Sequence, residues 1–247
     1  MSYFKKMAKN REVFKDTLIK SNKFNTPCAV KYKGALNNFL IEPKFSSTKF
    51  EVVNSDCIDA CLAIGKKDLK SKIGLQNNAS EFKPGGGVVK GSLAQEECIC
   101  RETTLYKTIK DCDYPLAPDE MLYSDEVYIL KDGSYNDIHQ NPRIAVITAA
   151  ALRKPHLVQG KYTGKDRKVM KQKIHMLLQT LYYHECETLV LGAWGCGVFG
   201  NPVDEVAEIY HYYLTGEFKN AFKNVTFAIL EKDKDPIGTT FRNKFEC

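Results

Sequence analysis

The sequence predicts a single α/β domain with three layers, α/β/α, around a mixed central sheet. Three observations carry that prediction. The chain has 247 residues, a length at which an α/β protein commonly forms one domain with a full core. From about residue 49 onward, short β-rich runs alternate with amphipathic stretches, which is the rhythm of strand-then-helix units. No internal repeat, low-complexity segment or long linker divides the chain. Hydrophobic residues at 43% and charged residues at 27% fit an ordinary globular protein and exclude disorder over most of its length.

Taken in order, the elements begin with an amphipathic helix from Tyr3 to Ser21, where Met7, Val13, Phe14, Leu18 and Ile19 recur among lysines at roughly helical spacing. Short strands are expected at Cys28 to Lys33 and Lys49 to Asn54, followed by a helix capped by Ser55 and reaching Lys67. A short strand at Ile73 to Asn77 leads into a Pro-Gly-Gly-Gly loop. One helix is then predicted from Ser92 to Lys110, and a Pro-rich connection from Tyr114 to Asp119. Strands follow at Glu126 to Lys131 and Arg143 to Thr148, then a polar stretch over Gln159 to Lys168 and a long helix to about Glu185. An apolar strand at Thr188 to Gly192, a helix from Pro202 and a last strand at Asn224 to Leu230 complete the reading. Residues 1–50 are expected to form an accessory helix and strands, packed on a core of 51–247 as one structural unit.

Several function classes are set aside by composition. The most apolar long stretch, Thr188 to Phe199, is interrupted by glycines and falls short of the roughly 18 to 20 residues of a membrane span. The amino terminus carries no apolar run after its lysines, so no secretory signal is expected and an intracellular, cytoplasmic location is. Nine cysteines without a C-x-x-C pair suggest reduced thiols rather than a disulfide framework or a zinc ribbon. The five histidines show no paired metal-ligand spacing, so no metal site is expected. A net charge of +6 favours a phosphate-bearing ligand without marking a dedicated DNA binder.

Two constellations carry chemistry. In the first, Gly85, Gly86 and Gly87 are followed after seven residues by Gln95, Glu96 and Glu97. Three glycines in a row allow positive φ and let backbone amides approach a ligand closely. With Ser92 as the cap, the Gln-Glu-Glu run occupies a first helical turn, where free amides and the helix dipole favour carboxylates and anions. The second runs from Gly192 to Pro202 between a strand and a helix, and Gly195, Gly197 and Gly200 satisfy G-x-G-x-x-G, a phosphate-cradling pattern. Only one further strand follows, which argues against a dehydrogenase, and no G-x-x-x-x-G-K-[ST] is present. Two separate glycine loops point to one ligand gripped from two sides. Phe199, at the loop mouth, is placed to stack on a base, whereas Trp194 reads as core. Cys98 and Cys100 should face different sides of their helix. A thiol nucleophile at Cys196 lacks a positioned base.

With both loops and the Gln-Glu-Glu run in hand, the chain resembles the microbial-type poly(ADP-ribose) glycohydrolases, whose signature joins G-G-G to Q-E-E. The similarity takes in Asn77 and Ala79-Ser80, Cys100-Arg101, Thr104 to Tyr106, and Leu191 to Phe199, and spans roughly Val52 to Leu230. It implies a macrodomain fold with a mixed central sheet and an N-terminal helical extension. It also implies hydrolysis of ribose–ribose O-glycosidic bonds from the chain end, releasing ADP-ribose without a cofactor. By that resemblance Glu97 is the acid that protonates the glycosidic oxygen and then activates water, while Glu96 and Gln95 hold ribose and shape the site. Gly85, Gly86 and Gly87, with Gly195, Cys196, Gly197, Val198 and Phe199, would wrap the pyrophosphate and distal ribose, with Val198 and Phe199 near adenine. Asn77 would reach the ribose beside the scissile bond. The implied partner is poly(ADP-ribose) or an ADP-ribosylated macromolecule. Two positions depart from the pattern: Asn78 stands where an apolar aromatic is usual, and Val88 replaces a Phe. A non-catalytic ADP-ribose reader and a hydrolase of a different ADP-ribosyl conjugate are the two alternatives.

Overall fold

The structure, a computed structural model, describes residues 3–37, 39–231 and 236–246; Cys247, one of the nine cysteines counted above, lies outside them. Seven strands form the central sheet in the order β1-β4-β5-β3-β8-β9-β2. They are β1 (Val30–Lys33), β2 (Lys49–Val53), β3 (Ile73–Asn78), β4 (Glu120–Tyr128), β5 (Arg143–Ala149), β8 (Thr188–Leu191) and β9 (Asn224–Ala228). All pairings from β5 through to β2 are parallel, and β4 runs antiparallel to both β1 and β5. The sheet is therefore mixed, and β1 and β2, from the N-terminal quarter of the chain, form its two edges.

Helices cover both faces. On one lie α1 (Tyr3–Ser21), α2 (Cys57–Lys67), α3 (Gln95–Glu102) and α4 (Leu105–Ile109). On the other lie α5 (Gly164–Tyr183), α6 (Val203–Thr215) and α7 (Ile237–Phe245). Alternation along the strands feeds two cores: Leu75 and Val146 pack with Ile58, Ile99 and Leu105, and Ile147 and Leu191 with Leu177, Trp194, Tyr210 and Phe227. Each such side chain taken fully from water contributes roughly 1.5–3 kcal/mol.

Four local expectations are corrected. The cap of α2 is Asp56, whose carboxylate accepts from the Ile58 N–H at 2.7 Å, and not Ser55, whose hydroxyl donates to the Asp56 carbonyl. The helix expected from Ser92 to Lys110 is two helices, broken at Thr103 and Thr104. There Leu130 and Lys131 donate to the Glu102 carbonyl, while the Thr104 hydroxyl accepts from the Tyr128 N–H at 3.0 Å. Threonine oxygens and a passing strand thus take over the bonds that a continuous helix would make. β4 starts at Glu120 rather than Glu126 because an irregularity between Ser124 and Val127 carries the polar Ser-Asp-Glu run through the strand. Residues 129–131 pair only as isolated bridges to Thr103 and Asp137.

Three of these elements had no counterpart in the sequence reading. A small hairpin, β6 (Leu157–Val158) with β7 (Lys161–Tyr162), enters the polar stretch, and α7 follows the last strand. α1 packs behind α3. Phe14 is buried edge-on to Tyr106 with ring centroids 5.1 Å apart, the Asn10 amide donates to the Gly91 carbonyl at 3.0 Å, and the Thr17 hydroxyl donates to the Arg101 carbonyl.

Candidate active site

The carboxyl ends of the parallel strands β3, β5 and β8 open toward the two glycine loops, where open α/β sheets bind their ligands. One carbonyl joins the two loops: Ala149, at the end of β5, accepts from the Ala79 N–H at 3.0 Å and from Trp194 Nε1 at 3.2 Å. Trp194 is fully buried, a core residue as its sequence context suggested.

α3 begins at Gln95 with Ala94 as its cap. Ser92 is not the cap. Its N–H donates to the Gly87 carbonyl at 3.2 Å, and its own carbonyl accepts from Arg101 Nη1 at 2.7 Å. The first-turn placement of Gln95, Glu96 and Glu97 holds nevertheless, because the cap shifted within the turn before the helix and not past it. β8 pairs with β3 only as far as Leu75, which leaves backbone groups of Gln76 and Asn78 facing no strand. Gln95 fills that gap: its Oε1 accepts from the Asn78 N–H at 2.7 Å, and its Nε2 donates to the Gln76 carbonyl at 3.0 Å.

The two glutamates then converge on the glycine loop. Glu96, 2% exposed, accepts from the Ser80 N–H at 2.7 Å through Oε2, and its Oε1 has no partner. Glu97, 7% exposed, accepts from the Gly87 N–H at 2.7 Å through Oε1, and its Oε2 has none. Gly86, at φ +53°, sits against both: a Cβ there would lie 2.6 Å from Glu97 Oε1 and 2.9 Å from Glu96 Oε2. Only glycine fits that backbone at that distance. Burial pushes the Glu96 carboxyl up to about 8, and the charge of Glu97 adds to the rise against the hydrogen bond from Ser80 and the nearby polar groups of Asn77 and Gly85. At neutral pH the protonated form of Glu96 is therefore favoured. The same first turn thus presents one protonated carboxyl beside a second carboxyl with a free oxygen.

Asn77 is fully buried, with Nδ2 donating to Thr148 Oγ1 at 3.2 Å and Oδ1 unpartnered. Asn78 points to the opposite side of β3, its Nδ2 3.0 Å from where a Gly192 Cβ would lie and its Oδ1 buried without a partner. Val88 is fully buried in the core with Ile99 and Leu105. In the second loop Asn201 is the pin: its Nδ2 donates to the carbonyls of Leu152 (2.7 Å) and Gly195 (3.0 Å), and its Oδ1 accepts from the Tyr162 hydroxyl at 2.7 Å. Cys196 and Phe199 are half-buried there, while Gly197 and Val198 are exposed, Val198 at 92%. Burial pushes the thiols of Cys98 and Cys100 above their ordinary range, the reverse of what a nucleophilic thiolate needs.

The sequence matches the family model for the catalytic domain of microbial-type PARG over residues 4–132, just over half of the chain. The chain belongs to that family. Its activity is poly(ADP-ribose) glycohydrolysis. The solved poly(ADP-ribose) glycohydrolase of Thermomonospora curvata superposes with a TM-score of 0.82 at 23% identity, covering 96% of this chain and 100% of that one. The Deinococcus radiodurans enzyme in complex with ADP-ribose gives 0.73 at 26% identity, covering 98% and 92%. A structure of the T. curvata enzyme with the inhibitor ADP-HPD gives 0.81 at 23%. No curated protein matches the chain by sequence. The matched family region begins within α1 and contains the first glycine loop and both glutamates.

For this glycohydrolase the structure gives roles to residues that motif reading left without one. Ser80 holds Glu96, Gln76 accepts from the Tyr210 hydroxyl at 2.9 Å, and Asn201 braces the second loop. Of these, Asn201 had a visible signal, since it follows the last glycine of G-x-G-x-x-G directly. The others act through single backbone groups or through contacts more than a hundred residues apart. Among the described residues no helix is long and apolar enough to cross a membrane, and no group of three His, Cys, Asp or Glu is placed to hold a metal ion.

Proposed function

We propose that Glu97 is the general acid and base of this glycohydrolase, acting at the terminal ribose–ribose bond of poly(ADP-ribose) to release ADP-ribose. The observation that carries the reading is the convergence of the unpartnered Glu97 Oε2 and the buried Glu96 carboxyl, on one helical turn against the glycine loop. In the protonated state Glu97 gives its proton to the leaving ribose oxygen as the C1–O bond breaks and oxocarbenium character develops. As a carboxylate it then takes a proton from water, whose oxygen bonds to C1, and the acid is restored. The Gly87 N–H at 2.7 Å fixes the other oxygen, so the free one keeps its direction through both steps. Glu96, neutral, adds no second negative charge beside the reacting carboxyl and offers a hydroxyl to the substrate ribose.

The loop from Gly195 to Phe199 supplies backbone amides for the diphosphate, with Phe199 as the face for adenine, and Gly85 to Gly87 let the ligand approach the backbone closely, the Gly86 and Gly87 amides themselves being taken by the Lys83 carbonyl and Glu97. Asn77, tied to Thr148, directs its free Oδ1 at a ribose hydroxyl. Gln95 acts by holding the end of β3, since both ends of its amide bind that backbone. The test is release of ADP-ribose from auto-modified poly(ADP-ribose) polymerase, followed chromatographically. Glu97→Gln should lower turnover by at least about a thousandfold, removing acid and base functions each worth on the order of 10²–10⁴, and should leave ADP-ribose binding within about threefold. Turnover within tenfold of wild type would remove Glu97 from this role.

A further inference from the structure

Arg153 stands on the rim that joins the two glycine loops, and the proposed chemistry makes no use of it. It follows β5 by four residues, and the next residue, Lys154, donates its N–H to the Phe199 carbonyl at 2.8 Å. Its guanidinium carbon lies 5.5 Å from the ring centroid of Phe82, just ahead of the triple-glycine loop, and 5.5 Å from that of Phe199 in the second loop. One cation therefore bridges one aromatic from each side of the site. Among the described residues its guanidinium meets only these two rings, with no carboxylate in ion-pair distance and no hydrogen bond to the protein. Phe82 is itself 60% exposed, so apolar burial does not explain why the bridge forms.

We propose that Arg153 binds a diphosphate oxygen of the substrate at the mouth of the cleft. An arginine set against aromatic rings is held by cation–π attraction, which restrains the plane of the guanidinium and leaves its in-plane donors free for a two-point contact with phosphate. Lys83 and Lys154, both exposed, flank it without an ion pair, so the rim carries positive charge without local neutralisation. Backbone amides alone can cradle a diphosphate, but a rim cation adds long-range attraction for a polyanion. This assignment rests on the glycohydrolase reading for its substrate class. The diphosphate is that of the terminal unit or of the unit behind it, and the two give different results below.

The experiment compares wild type, Arg153→Ala and Arg153→Lys, each also carrying Glu97→Gln for binding measurements. Calorimetry with ADP-ribose, a two-unit ADP-ribose oligomer and adenosine is run at several salt concentrations, and KM and kcat are measured on polymer with Glu97 intact. Arg153→Ala should weaken phosphate-bearing ligands by about tenfold or more, make their affinity less sensitive to salt, and change adenosine binding far less. On polymer the change should fall on KM rather than kcat. Arg153→Lys should recover the salt sensitivity without the full affinity, since it keeps the charge and loses the planar fork. A loss confined to the two-unit oligomer places the contact on the second unit, and a loss with ADP-ribose places it on the first. Unchanged affinity and salt sensitivity for both, or an equal loss for adenosine, would make Arg153 a strut between loops and overturn the proposal. Absence of product from wild type polymer assays alongside an Arg153-dependent salt sensitivity for ADP-ribose would sink the hydrolase reading and leave the phosphate contact standing.

Discussion

Glu96 and Glu97 differ by one position on a helical turn, yet the structure gives them different physical states. Glu96 meets the Ser80 amide and the interior, and Glu97 meets the Gly87 amide and keeps an oxygen free. Ionising Glu96 would remove the proton it offers to the substrate ribose and bury a negative charge against Gly86, so turnover should decline as pH rises through about 8. Glu96→Gln should remove that alkaline decline from the pH–rate profile; persistence of the same decline in the variant would assign it to another group. The stability consequence has a definite sign. A carboxyl raised from 4.5 to about 8 binds its proton more tightly in the folded chain, so its contribution is complete below about pH 4.5 and is lost as pH climbs to about 8. Relative to wild type, Glu96→Gln should therefore gain stability between pH 5 and pH 8, by on the order of a few kcal/mol, as read from denaturant unfolding at the two pH values. The sequence showed this pair through spacing alone, since a triple glycine seven residues before Gln-Glu-Glu admits few geometries. It did not show which glutamate is uncharged, because that depends on Ser80, on Asn77 and on burial contributed by the whole sheet.

At the level of elements, long periodic helices and apolar strands were legible, and elements defined by their neighbours were not. α1 and α5 announce themselves by amphipathic spacing. α7, with Gly238, Thr239 and Thr240 in its first turns, has weak intrinsic helicity and forms by setting Phe241 and Phe245 against Phe227, with centroids 5.0 and 4.5 Å away. The break between α3 and α4 is likewise imposed from outside, by the chain leaving β4. α5 holds a conflict that its sequence pattern does not reveal: Lys173 is only 5% exposed, and its amine bonds to no group among the described residues. Burial pulls it down to about 8, and the charges of Asp119 and Glu81 only partly oppose the shift. Below about pH 8 the folded chain carries a desolvated cation at that position. As pH rises from about 8 to 10.5 the folded form releases the proton first, so the penalty fades. Lys173→Met should raise stability by about 1–3 kcal/mol at pH 7 and by much less near pH 10.5. A thermal melt in which the variant gains equally at both pH values would show that the gain comes from packing and not from charge.

Across the whole molecule, the helix that carries both glutamates is held from two sides, and the rear support comes from α1. α3 presents its first turn to the glycine loop while α1 covers its back. Asn10 takes the Gly91 carbonyl, Thr17 takes the Arg101 carbonyl, and Lys131, only 5% exposed, is paired with Asp16 of α1 as well as with Asp137. Gly91, at φ +84°, is pressed so close to the Met7 carbonyl that any side chain there would collide with it. The amphipathic pattern of residues 3–21 foretold a covering helix but not what it covers, because pattern gives a face and not its partner. Removing residues 1–21 would expose Tyr106 and Arg101, leave the Gly91 carbonyl unpartnered and strand Lys131 with half its counter-charge. Such truncation should abolish a cooperative thermal transition together with ADP-ribose release. The milder Asn10→Ala leaves the fold in place and withdraws one buried donor, which should lower stability by about 1–2 kcal/mol. Because Gly91 leads directly into Ser92 and α3, that variant should also reduce kcat more than it raises KM. A truncated chain that melts as sharply as wild type, or an Asn10→Ala enzyme with unaltered stability, would show that α1 is a passive cover and that α3 is positioned by the sheet alone.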